Sequence, residues 1–295
     1  MNGPVVVGVD GSASSLAAVE TAAREARLRG AGLRVVHAFV WPGMHVPVDP
    51  SPLGPPEGEI RKVVERLVGE AMARARSTAP DVDVAHAVVM GEPVTVLEAQ
   101  SRDAQLVVVG SRGKGGFVGL LVGSTAVHLA AHSTCPLLVV RGVADDTGPV
   151  LLGVDGSATG EQAVSFAFAE ASLRKAPLTA VHAWTRWNAA LPAPQDSAEP
   201  YANPPGRLAE QEERLLAEAL AGHRERNPDV AVQHRVVHGG TREALIEASR
   251  GAQLLVVGAR GRGGFTGLLL GSVSQAVLHH AHCPVAVVRG AEGEH

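Results

Sequence analysis

The chain is written twice. VVVGVDGSASS, starting at Val5, returns as VLLGVDGSATG from Val150. AQLVVVGSRGKGGFVGLLVGS from Ala104 returns as AQLLVVGARGRGGFTGLLLGS from Ala252, and CPLLVVRG from Cys135 as CPVAVVRG from Cys283. Order and spacing are kept throughout. A period this long is that of duplicated whole domains rather than of a solenoid, whose repeats run to roughly 20–50 residues. The expected domains are residues 1–143 and 149–291, with a short polar linker between them. Gly8 pairs with Gly153 and His37 with His182 at one offset; Gly91 pairs with Gly239 and Gly110 with Gly258 at an offset three residues longer. The insertion therefore falls in the Pro-rich stretches 41–58 and 185–206, where surface loops absorb changes of length.

Each copy reads as alternating strands and helices. In the first, the predicted strands are Val5–Val9, Leu33–Phe39, Asp83–Met90, Leu106–Val109 and Leu137–Val140. The predicted helices are Ser12–Arg29, Glu59–Ser77 with Val63, Leu67 and Met72 on its apolar side, Pro93–Ser101, and Ser124–Ala131. Aromatic residues make up only 3% of the chain while 45% is hydrophobic, mostly Val, Leu and Ala, as suits parallel strands covered by helices. Strands that alternate with helices imply an α/β fold of right-handed crossovers, so ligands are sought beyond the carboxyl ends of the strands.

Composition excludes several classes. A net charge of −4 offers no basic surface for a phosphodiester backbone, so nucleic acid is not an expected partner. No apolar run approaches the ~20 residues that span a bilayer, and no leader is read before the first strand, so neither membrane association nor export is expected. Cys135 and Cys283 each precede a proline at the matching place of their copy. That pattern is no disulfide framework, and a cytoplasmic location is expected.

Two features carry chemistry. After the first strand of each copy stands an aspartate, Asp10 or Asp155, followed by Gly and Ser. Such a carboxylate either accepts hydrogen bonds from a ligand's sugar or base, or closes a turn and caps the next helix. After the fourth strand, Gly110-Ser111-Arg112-Gly113 is followed nine residues later by Gly123-Ser124-Thr125. The second copy has Gly258-Ala259-Arg260-Gly261, then Gly271-Ser272-Val273-Ser274. Glycines after a strand let the backbone approach a ligand, and the unpaired amides of a helix start favour a phosphate. A few charge-assisted hydrogen bonds of about 1.5–3 kcal/mol each, with a buried base, reach micromolar affinity, about −8 kcal/mol. Arg112, Lys114, Arg260 and Arg262 lie in these loops, with Gly115, Gly116, Gly263 and Gly264 beside them; the cations either reach phosphates or are solvated loop charges. His37 and His182 read as hydrogen-bonded structural histidines ahead of catalytic ones, and the His279, His280, His282, Cys283 cluster matches no familiar zinc spacing.

The G-x-x-G-x(9)-G-[ST] pattern, the aspartate after the first strand and the closing CP-strand resemble the ATP-binding branch of the universal stress proteins, over nearly the whole chain and twice. The resemblance implies two tandem Rossmann-like (adenine nucleotide α-hydrolase-like) domains, each a five-stranded parallel sheet with helices on both faces. It implies one ATP per domain, with Mg²⁺ carried by the phosphates. Adenosine would lie near Gly8, Asp10, Val36 and Ala38, and near Gly153, Asp155, Val181 and Ala183. The phosphates would lie at the two glycine sets. It also implies a homodimer and a protein partner in a stress response. In the second copy Ala259 and Val273 replace Ser111 and Thr125, so two hydroxyls are missing there, with Ser274 the available substitute. No G-x-x-x-x-G-K-[ST], no G-x-G-x-x-G after the first strand and no serine elbow is present. No base stands in the cradle to activate water, so at most slow ATP hydrolysis or autophosphorylation is expected. A nucleotide-dependent regulator leads, ahead of a slow ATPase or adenylating enzyme of the same fold and a nucleotide-free dimeric scaffold.

Overall fold

The computed structural model describes residues 3–40, 58–113, 122–142, 145, 147–185, 207–262 and 270–290. The chain divides into two compact units, Met1–Arg141 and Gly142–His295.

Unit 1 runs β1 (Val5–Gly8), α1 (Ala13–Arg29), β2 (Leu33–Phe39), α2 (Gly58–Thr78), β3 (Val84–Met90), α3 (Pro93–Ser101), β4 (Leu106–Gly110), α4 (Ser124–His132) and β5 (Leu137–Val140). All its strands are parallel, in the order β3-β2-β1-β4-β5. Unit 2 repeats this with β6 (Val150–Gly153), α5 (Glu161–Arg174), β7 (Leu178–Trp184), α6 (Arg207–Arg226), β8 (Val232–His238), α7 (Thr241–Ala248), β9 (Leu254–Gly258), α8 (Ser272–His280) and β10 (Val285–Val288). Its order is β8-β7-β6-β9-β10, again all parallel. In unit 1, α1 packs with α2 and α3 with α4, so each pair covers one face of the sheet. The apolar runs of β1, β4, β6 and β9 are buried, as strands covered on both faces must be.

The chain leaves β1 to one side through β2 and returns on the other side through β4. The order reverses at β1 and β4, and the crevice at their carboxyl ends is the place such sheets offer a ligand. Asp10 follows β1 there, and Gly110 ends β4.

Local signals set the helix limits. Ser12 caps α1 by accepting a hydrogen bond from the Ser15 amide at 3.1 Å. Gly30 ends the helix in the left-handed region at φ 59°, where Lys175 does the same for α5 at φ 51°. A buried carboxylate on each helix is met by an arginine one turn on, Glu25 by Arg29 and Glu170 by Arg174. The helix predicted over 59–77 forms as α2, but its inner face is Val64, Val68, Ala71, Met72 and Ala75. Val63 is 60% exposed. Adjacent apolar pairs, Val63-Val64 and Leu67-Val68, fit two rotations of one helix equally well, and only packing against the sheet selects one. In the second copy Gly160 stands where Ser15 stands in the first, and the helix start becomes a separate 3₁₀ turn, Ala158–Gly160.

Candidate functional site

The turn after β1 is built around Asp10. Its Oδ1 accepts from the Ser12 amide at 3.0 Å, and Gly11 takes φ 75° to close the turn. Asp155 does the same in unit 2, where Oδ1 accepts from both the Ser157 amide (3.0 Å) and its hydroxyl (2.8 Å). Ser157 is thereby turned to the carboxylate instead of capping a helix as Ser12 does. The turn role weighed for this aspartate is present in both units.

The aspartate also reaches the glycine loop. A Cβ on Gly113 would stand 2.6 Å from Asp10 Oδ2, and one on Gly261 2.6 Å from Asp155 Oδ2. In unit 2 the loop amide of Arg262 donates to Asp155 Oδ2 at 2.7 Å. Only glycine lets the loop lie this close to the carboxylate. The Arg262 guanidinium also donates to the Gly156 carbonyl at 3.4 Å.

The two parts of the cradle meet. The Gly123 amide donates to the Ser111 carbonyl at 2.8 Å, and the Gly271 amide to the Ala259 carbonyl at 2.8 Å. The described ends of the two arms thus meet at one place. Gly123 and Gly271 are the N-caps of α4 and α8, in extended conformation and with no side-chain cap. The amides of the following turn, starting at the exposed Ser124 and Ser272, face no helix carbonyl of their own. Arg112 and Arg260 are exposed on the first arm. Lys114, Gly115, Gly116, Gly263 and Gly264 lie outside the described residues.

The glycines differ in what excludes a side chain. At Gly8 a Cβ would meet Leu97 Cδ1 at 2.7 Å, and at Gly153 Leu245 Cδ1 at 3.0 Å, so helix packing accounts for both. At Gly110 it would stand 2.7 Å from the Ser14 backbone. At Gly123 the nearest atom, Ser111 O, is 3.8 Å away, and φ is −74°. Neither packing among the described residues nor conformation explains glycine there.

Val36 and Val181 are buried and lend their carbonyls to the amides of Val9 and Val154, both at 2.9 Å. Ala38 is half-buried and Ala183 buried, at the carboxyl ends of β2 and β7. His37 and His182 are hydrogen-bonded from Nδ1 to the carbonyls of Val9 (2.8 Å) and Val154 (2.7 Å), and so pin the chain just before each aspartate. Thr125 and Val273 are half-buried in the first turns of α4 and α8. Ser274 is no substitute for the missing hydroxyls: it is buried and donates to the Gly258 carbonyl at 2.7 Å. That its hydroxyl turns inward to β9 could not be read from spacing alone.

Sequence reasoning missed the staples between α1 and the loop. The Arg112 amide donates to Ser14 Oγ at 3.3 Å, and Ser12 Oγ to the Arg112 carbonyl at 3.4 Å. The run of serines after Asp10-Gly11 was the available signal. Glu212, whose Oε2 lies 2.6 Å from His182 Nε2, had none, because a carboxylate on a charged helix reads as solvated.

Fold and crevice together define a class: two tandem adenine nucleotide α-hydrolase-like domains, each presenting an aspartate turn, a glycine loop and an open helix start at one sheet end. Residues 1–141 and 147–289 each match the universal stress protein family, and the chain belongs to that family. It is 40% identical over 301 residues to the universal stress protein Rv2005c of Mycobacterium tuberculosis, covering 97% of this chain and 96% of that protein. With the universal stress protein Rv2623 of the same organism it is 36% identical, at the same coverage of 97% and 96%. A universal stress protein from Archaeoglobus fulgidus of known crystal structure shares the fold over 98% of both chains, with a TM-score of 0.70 and 17% identity. No helix among the described residues is long and apolar enough to cross a membrane.

Proposed function

We propose that each unit binds one ATP, with Mg²⁺ carried by its phosphates, and that the chain acts as a nucleotide-dependent regulator in a stress response. The observation that carries this reading is Gly123. It stands at an uncapped helix start, docked on the first arm of the cradle, at a place where the described residues leave room for a side chain. A phosphate approaching the backbone supplies the missing reason for glycine. The backbone of 110–113 and the amides at 124 and 125 would hold the phosphates, with Arg112 and Lys114 at hand. Adenosine would lie over β1 and β2 near Asp10 and Ala38. Unit 2 would repeat this with Asp155, Ala183, Gly258, Arg260, Gly261, Arg262, Gly271 and Ser272, and with weaker affinity, since Ala259 and Val273 bring no hydroxyl. Phosphates that bridge the two arms fix the segment between them, which would then present a nucleotide-dependent surface to a protein partner. The active form would be a homodimer, to be checked by light scattering.

The test is to denature freshly purified protein and identify the released nucleotide by chromatography, beside a Gly123→Ala/Gly271→Ala variant. Gly123→Ala is the cleaner substitution, because Gly110→Ala collides with Ser14 and would disturb packing as well. About two ATP per chain, lost in the variant, is expected. No nucleotide released, and none bound on adding ATP, would make the glycine loops purely structural and leave a dimeric scaffold.

A further inference from the structure

The two units differ where β2 and β7 face α2 and α6. In unit 2, His182 is buried and its Nδ1 lies 2.7 Å from the Val154 carbonyl. A carbonyl only accepts, so Nδ1 carries a proton. Nε2 lies 2.6 Å from Oε2 of Glu212, a side chain of α6 that is 1% exposed. One proton is shared on that line, and the histidine–carboxyl pair fills the space between strand and helix.

Unit 1 keeps the histidine and its carbonyl but not the carboxyl. His37 Nδ1 donates to the Val9 carbonyl at 2.8 Å. The inner face of α2, Val64, Val68, Met72 and Ala75, matches that of α6, Glu212, Leu216, Leu220 and His223, position for position. Val64 thus stands where Glu212 stands. Beside Val64 lies a cavity of about 350 Å³, lined among the described residues by His37, Phe39, Ile60, Val63, Val64 and Leu67. His37 is the only polar side chain in that lining, and among the described residues nothing hydrogen-bonds to its Nε2. With Nδ1–H committed to Val9, Nε2 is the ring atom left to meet a partner in the cavity.

We propose that this cavity is a second ligand site, specific to unit 1, for a small apolar carboxylic acid. Its carboxyl group takes the place against His37 Nε2 that the Glu212 carboxyl holds against His182 Nε2. The volume falls in the range of small-molecule pockets, roughly 300–1,000 Å³. A hydrocarbon without a polar head would leave Nε2 unmet, and an ammonium would find no counter-charge among the described lining residues. A carboxylic acid brings the one proton the pair shares, so no net charge enters the cavity, and its chain covers Ile60, Val64 and Leu67. The site shares no residue with the glycine cradle and does not depend on its reading.

The test uses the full chain with ¹⁵N-labelled histidine, titrated with octanoate and, separately, octylamine while imidazole resonances are recorded. Expected is a saturable shift of the His37 Nε2 signal toward that of His182 with octanoate and none with octylamine. Val64→Glu should give the shifted His37 signal without ligand and bind octanoate at least about tenfold more weakly. Val64→Phe, which fills the space without a carboxyl, should weaken binding equally while leaving His37 unshifted. The proposal is overturned if octanoate leaves His37 unmoved, or if both variants bind as the parent does. It is likewise overturned if binding appears only after residues 43–55 are removed, since a segment of the chain itself would then be the occupant.

Discussion

Gly110 and Gly258 hold the same place in the two copies, yet an added methyl group meets different surroundings. At Gly110 a Cβ would stand 2.5 Å from Ser14 Oγ and 2.7 Å from both the carbonyl carbon and oxygen of Ser14. The hydroxyl can rotate away; the main chain cannot, because it belongs to the first turn of α1, which Ser12 and Ser15 tie to the Asp10 turn. At Gly258 the nearest atom is the Arg260 carbonyl at 3.0 Å, and the helix is no closer than Gly160 Cα at 4.0 Å. The 3₁₀ start of unit 2 and its glycine at 160 make that room. Overpacking of a fixed backbone costs about 1–3 kcal/mol. Gly110→Ala belongs at the upper end of that range. Gly258→Ala meets only a loop carbonyl, and part of its cost is offset by the roughly 0.4–1 kcal/mol gained from restricting the unfolded chain. At about 2–4 °C per kcal/mol for units of this size, Gly110→Ala should lower the unfolding transition it affects by about 6–12 °C, and Gly258→Ala by less than about 3 °C. Differential scanning calorimetry on nucleotide-stripped full-length protein resolves this, with each unit allowed its own transition. Equal shifts, or a larger one for Gly258→Ala, would refute the packing argument and place α1 differently against β4.

Three further outcomes are expected. Glu212→Ala and Glu212→Val both remove one member of a buried pair and should destabilise unit 2 by about 3–5 kcal/mol, with Val toward the lower end because it refills part of the space; guanidinium midpoints compare the two. Burial, assisted by nearby Arg226 and opposed by Glu161, holds the His223 imidazole, stacked on Phe168, below its ordinary range. The folded state therefore disfavours its proton, so unit 2 should keep full stability above about pH 6.5 and lose it as pH falls below that value; His223→Ala, the residue of unit 1, should flatten the pH profile of the melting temperature. Ser12→Ala should cost about 1 kcal/mol through removal of the α1 cap, while Ser157→Ala should cost less, because Ser157 bonds Asp155 and caps no helix; thermal melts of the two variants compare them.

Much of the fold was written in the sequence. Periodicity gave β2, α3 and β5 with the limits the structure shows, because apolar runs and a proline at a helix start are local signals. The repeat gave the second unit from the first. The aspartate and both glycine sets were legible as residues, since glycine and helix-start serine have few other uses at strand ends. Three things were decided by tertiary structure alone. Which of Val63 and Val64 turns inward depends on the sheet that α2 meets. That the Gly123 amide meets the Ser111 carbonyl depends on where α4 packs against α3 and β5, which no spacing encodes. The third is the fate of single substitutions between the copies. Val64 and Glu212, Ser15 and Gly160, or Ala126 and Ser274 look like drift along a string of letters. Packing sets the first beside a cavity in one unit and in a buried histidine–carboxyl contact in the other, makes the second a changed helix start, and the third a hydroxyl spent on the Gly258 carbonyl. Local sequence sets what a segment can become, but the neighbours that give a side chain its role lie far along the chain, and only the folded molecule brings them within hydrogen-bonding reach.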